Sequence, residues 1–112
     1  MATISNIYID RGSDYTSIVT VVSATGLPLD LSGYVAKSQI RKSYNSSQSF
    51  TFTATIYSAP SGQIKLALSA AETELIPAGR WLYDVEITHT ATGMKKRVVE
   101  GIVEVTPQIT QI

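Results

Sequence analysis

His89 is the only histidine in the chain, and an imidazole that titrates near neutrality is the first place to look for chemistry. A general base or a metal ligand needs partners, and a protein without cysteine builds metal sites from several histidines or carboxylates together. His89 has no such company in the sequence. It stands where a strand meets the Thr90–Gly93 loop, so it reads as an exposed loop histidine.

The carboxylates Asp84, Glu86, Glu100 and Glu104 are the second candidates. Paired acids run glycoside hydrolysis when their separation suits the reaction. Here the i, i+2 spacing puts them along the outer faces of two late strands, which is the pattern of a solvated sheet face. Lys95-Lys96-Arg97 is the one basic cluster, and cross-strand pairing with Asp84 or Glu86 accounts for it. No glycine-rich phosphate loop, nucleophile elbow or zinc spacing is present. The serines and threonines have nothing beside them to activate a hydroxyl. The expectation is therefore a protein that is not an enzyme, with no catalytic residues, no cofactor, no metal and no small-molecule substrate.

Bulk properties narrow the class further. At 112 residues the chain reads as one domain, 1–112, with short arms at about 1–5 and 107–112, and it is long enough to bury a real core. Nine basic and nine acidic residues cancel, and 16% of residues are charged. That balance leaves no electrostatic footprint for nucleic acid or an anionic membrane. No apolar run approaches the ~20 residues that span a bilayer, and the N-terminus lacks the basic start and apolar core of a signal peptide.

Alternation supplies the elements. Ile64, Leu66 and Leu68 alternate with Lys65 and Ala67, and Trp81, Tyr83, Val85 and Ile87 share one face of a later strand; Ile64, Leu66, Trp81, Tyr83, Val85 and Ile87 are expected to face inward. Between them Ser69 and Glu72 have capping-box spacing for one helical turn, Pro77 stops it, and Gly79 turns the corner. Phe50, Phe52, Ala54 and Ile56 give a third regular strand. In the first strand Ile4 and Tyr8 fall on one face, with Ile7 and Ile9 elsewhere. Turn residues separate the segments at 11–14, 24–28, 43–49, 59–62 and 89–93. About seven short strands at this spacing predict an all-β, antiparallel immunoglobulin-like β-sandwich with one short helical turn, a small barrel being the rival. The strand aromatics read as core, whereas Tyr44 and Tyr57 flank polar loops.

The turn phrases carry a resemblance. Asp30-Leu31-Ser32-Gly33-Tyr34, Gln39-Ile40-Arg41-Lys42-Ser43-Tyr44, Leu68-Ser69-Ala70-Ala71-Glu72-Thr73, the run Ile76–Ile87 and the closing run Val98–Pro107 follow one another in order. Over residues 3–107 the chain resembles small virion structural proteins of tailed bacteriophages. It looks most like the N-terminal immunoglobulin-like domain of baseplate upper proteins and their stand-alone relatives. Those proteins continue into coiled-coil and receptor-side regions where this sequence ends, which favours a stand-alone subunit.

The resemblance implies a non-enzymatic adaptor or docking subunit of the tail, baseplate or neck. It would be made in the host cytoplasm and placed in the virion, contacting other virion proteins and copies of itself. A capsid decoration (cement) protein is the alternative within that biology, and a carbohydrate-binding sandwich the alternative outside it. Assembly contacts are expected at Ile4, Ile7, Leu82, Ile102, Ile109 and Ile112, because the late strands are apolar on both faces: Leu82, Val98 and Ile102 opposite Val85, Val99 and Val103. Unpaired ends at 2–5 and 107–112 would add to those contacts.

Overall fold

The faces read from the regular alternation at 64–68 and 81–87 build the core, whereas Tyr8, read as core with the other strand aromatics, is 69% exposed. A computed structural model describes residues 3–23, 25–43 and 47–107, and every count below refers to those residues. The order is β1 (Thr3–Ile4), β2 (Ile7–Asp10), β3 (Tyr15–Thr20), β4 (Tyr34–Arg41), β5 (Ser49–Ser58), β6 (Gln63–Leu68), α1 (Ala70–Glu74), β7 (Gly79–His89) and β8 (Lys95–Thr106). Ile64, Leu66, Trp81, Tyr83, Val85 and Ile87 are all buried as expected, joined by Ile9, Leu31, Ile40, Phe52, Ile76 and Val103.

The protein is all-β with one five-residue helix. Its strands form a curled, mixed sheet, and the pairing departs from the expected antiparallel sandwich in two ways. First, β1 and β2 run parallel to β8, while every other pair is antiparallel. Second, one hydrogen-bonded path, β1-β8-β7-β4-β5-β6-β3, runs through the whole molecule, with β2 also on β8. The cause lies in β5. Its residues Ser49–Phe52 pair with β4, and from Thr53 onward it pairs with β6, so one strand serves both halves of the curl.

Eight strands replace the expected seven because the first one breaks at Ser5–Asn6. There Ser5 still donates to Glu100 O (2.9 Å), but the Asn6 side chain substitutes for the backbone and accepts from Ile102 N–H (3.1 Å). The N-terminal arm is therefore paired as far as it is described. Parallel pairing with β8 turns Ile7 and Ile9 into the core and leaves Tyr8 outside.

The helical turn forms as its spacing requires. Ser69 Oγ accepts from Glu72 N–H (3.2 Å), and the Glu72 carboxylate accepts from Ser69 N–H (2.8 Å). Its remote anchors leave no mark in the local pattern. Asp14 accepts from Ala70 N–H (2.7 Å), Arg11 Nε donates to Glu74 O (2.9 Å), and buried Thr73 bridges Gly12 N–H and Ser13 O. The short helix is thus tied to the β2–β3 turn by groups about sixty residues away in sequence. Gly79 follows with φ of +133°, a backbone region that favours glycine.

Candidate functional site

The outer face of β4, β7 and β8 is built in three rows, set by register. Lys37, Glu86 and Arg97 form the first row; Gln39, Asp84, Glu100 and Ile4 the second; Arg41, Leu82 and Ile102 the third. Each row exists because side chains of equal parity on paired strands point the same way. All ten residues line one open depression of about 1040 Å³. Where β5 leaves β4 for β6, the small side chains of Ala36, Ser38 and Ala54 also border it.

A bulge in β8 aims the central cation. Val85 pairs with Val99, but Glu86 pairs with Arg97, leaving Val98 as an extra residue. The expected place of Val98 on the outer face is thereby overturned: both Val98 and Val99 are buried, because a bulge turns two successive residues to one side. Arg97 then reaches Asp84 (Nε to Oδ2, 3.3 Å) and Glu100 (3.2 Å). This is the cross-strand pairing expected for the basic cluster. It also offsets the like charges of Asp84 and Glu100, which lie directly opposite one another.

Burial, with the neighbouring carboxylates of Glu86 and Glu100, pushes the Asp84 carboxyl above its ordinary range, against the pull of Arg97 and Arg41. Under the sheet, burial pushes the Tyr83 phenol up to about 12, although its hydroxyl donates to Ser5 O. The folded value exceeds the ordinary 10.0, so folding favours the protonated phenol. That contribution is whole below about pH 10 and is lost as pH rises from about 10 through about 12. Urea midpoints measured across that window should fall less steeply for Tyr83→Phe than for the natural chain; equal slopes would mean that Tyr83 does not ionise late.

The six expected contact residues fare differently. Ile4, Leu82 and Ile102 come together on this face, Leu82 directly opposite Ile102. Ile4 is largely exposed and the other two are half-buried. Ile7 is corrected: it is a core residue with 5% of its surface exposed and is not available to a neighbour. Ile109 and Ile112 lie outside the described residues, as does Tyr44. His89 sits at the far end of β7, its ring edge-on to Tyr34 at 5.0 Å and its Nδ1 3.1 Å from Thr92 Oγ1. Asn6 and the β4–β5 parting were missed in the sequence. Asn6 broke the early alternation, and the small residues at 36, 38 and 54 were the only mark of the gap.

Chemically the face is a polar–apolar mosaic with matched charges, which suits contact with a protein surface. Among the described residues no group of three acidic or imidazole side chains is placed to hold a metal ion. No helix there is long and apolar enough to cross a membrane. No family model matches the chain, and no curated protein sequence does. Among solved structures, the chain is similar to the crystal structure of Listeria monocytogenes InlP, with 12% identity and a TM-score of 0.49. The match covers 94% of this chain and 28% of that one.

Proposed function

We propose that this chain is a non-enzymatic virion structural protein of a tailed phage, an adaptor or docking subunit of the tail, baseplate or neck. Its scaffold is read as an immunoglobulin-like sandwich. Supporting that scaffold, β3, β6 and the second half of β5 form one antiparallel group, and β4, β7 and β8 form another that the N-terminal strands extend. The ordered turn phrases from Asp30 to Pro107 support the phage assignment.

The observation that carries docking is the meeting of Ile4, Leu82 and Ile102 in one depression with paired charges beside them. Apolar side chains grouped beside ion pairs that already satisfy one another are a surface that a protein partner can cover without stranding a charge. In particles assembled with Leu82→Glu/Ile102→Lys protein, whose new charges are opposite in sign across the strand pair, incorporation should drop about ten-fold. Two half-buried outer positions should change stability by only about 1 kcal/mol. Imaging of intact particles supplies the location: density on the head lattice would replace this reading with the decoration protein, and normal incorporation of the double variant would remove the depression as the docking surface.

A further inference from the structure

We infer that β3 is a self-pairing edge through which two copies of this chain join about a two-fold axis at Ile18. The inference deepens the reading above by giving a surface to the contacts with copies of itself that the resemblance implies, and the dimer is testable without any particle.

The register of β3 on β6 decides which backbone groups are free. Val21 N–H donates to Gly62 O (2.7 Å), and Thr20 pairs with Gln63, Val19 with Ile64, and so on to Tyr15 with Leu68. In an antiparallel ladder hydrogen-bonded pairs alternate with unbonded ones. The odd residues Tyr15, Ser17 and Val19 therefore turn their amides and carbonyls toward β6. Thr16, Ile18 and Thr20 turn theirs to the open side, where no strand pairs with β3 among the described residues. Val21 and Ser23 make their contacts with Gly62, Leu27 and Leu29 in the odd-residue direction, away from that side.

A second copy fits this edge better than an arbitrary strand. Side-chain parity requires that a continuous sheet match even residues with even ones. With the axis at Ile18, Thr16 meets Thr20 of the other copy, Ile18 meets Ile18, and Thr20 meets Thr16. All three free N–H groups and all three free carbonyls of each strand are then satisfied at once. The outer face gains two threonine pairs and an isoleucine pair, and Ile18 is 44% exposed in the single chain. Charge raises no objection, since Tyr15–Thr20 carries none of the chain's charged residues and no like charges face each other across the axis. The strand also lacks the lysine, proline or bulge by which edges are usually guarded. The opposite edge is a poorer choice: it is interrupted at Ser5–Asn6 and ends on Asp10.

The chain has no cysteine, so single cysteine variants of the purified protein read the register directly. Facing Cα atoms of a bonded pair lie about 5.5 Å apart, within disulfide range. Under mild oxidation Ile18→Cys should form a covalent dimer. Thr16→Cys should stay monomeric, since its twin lies four residues along the ladder, about 13 Å away. The combined Thr16→Cys/Thr20→Cys variant should cross-link again. In sedimentation velocity the natural chain should dimerise with rising concentration. Ile18→Pro should weaken the dimer at least about ten-fold, because each copy loses an edge donor while the β3–β6 bonds stay intact. A natural chain that stays monomeric at every concentration, or cross-linking of Thr16→Cys as readily as Ile18→Cys, would overturn the proposal. Should Ile18→Pro fail to fold, the cysteine series still decides. A dimer that forms while virion incorporation fails would sink only the phage reading; a monomer that still incorporates would sink only this one.

Discussion

Replacing Trp81 with alanine is expected to cost about 3–5 kcal/mol, the range for removing a buried aromatic and leaving its cavity. Trp81 is 3% exposed and has defined partners on several sides. Its Nε1 donates to Pro77 O (2.9 Å), which ties the post-helix corner to β7. Phe50 meets the ring edge-on with centroids 5.5 Å apart, which brings in the first half of β5. The Lys42 ammonium lies 5.1 Å from the ring centre and donates to Arg80 O. Removing the indole therefore loosens the corner at Pro77 together with the packing of Lys42 and Phe50. Urea unfolding followed by circular dichroism is the suitable measurement, since the variant lacks the chain's single tryptophan. A midpoint equal to that of the natural protein would contradict the core assignment.

The second large effect is expected from the smallest change, Gly101→Ala. A Cβ at Gly101 would stand 2.2 Å from Ser5 O and 2.8 Å from Ser5 C. The obstacle is backbone and cannot rotate aside. The N-terminal chain crosses β8 closely here because Ser5 O turns in to accept the Tyr83 hydroxyl. Relief requires lifting β1 from β8, with loss of that bond and of the Asn6–Ile102 contact. Overpacking of about 1–3 kcal/mol plus about 1 kcal/mol for a hydrogen bond gives about 2–4 kcal/mol. The thermal midpoint should fall, and the Ile102 amide should exchange faster with solvent. If neither moves, the close crossing at Ser5 does not hold the N-terminal strands.

Strand faces were legible wherever the apolar period was regular. Two-residue alternation points Leu66 and Val85 inward, and both are fully buried. The Ser69–Glu72 box was equally readable, since all its contacts lie within four residues. Val98 was misread because a bulge leaves no trace in the alternation: Val98 and Val99 are adjacent valines, and only pairing with β7 shows that both turn inward. The phase of Ile7 is hidden in the sequence by the broken pattern at Ser5–Asn6, which is why its burial comes only from the pairing of β2 with β8.

Composition and period alone determined that the chain folds as β-strands around one core, which residues of the regular strands face inward, and where the single helical turn is capped. These are short-range properties, fixed by side-chain parity and by backbone preferences at serine, proline and glycine. Tertiary structure decided the rest: the parallel seating of β1 and β2 on β8, the division of β5 between two partners, and the meeting of Ile4 with Leu82 and Ile102. Strand alternation carries a period but no partner. Asn6 contacts Ile102 across 96 positions, and which edge a strand joins, and in which direction, is settled only when all the apolar faces close over the same core.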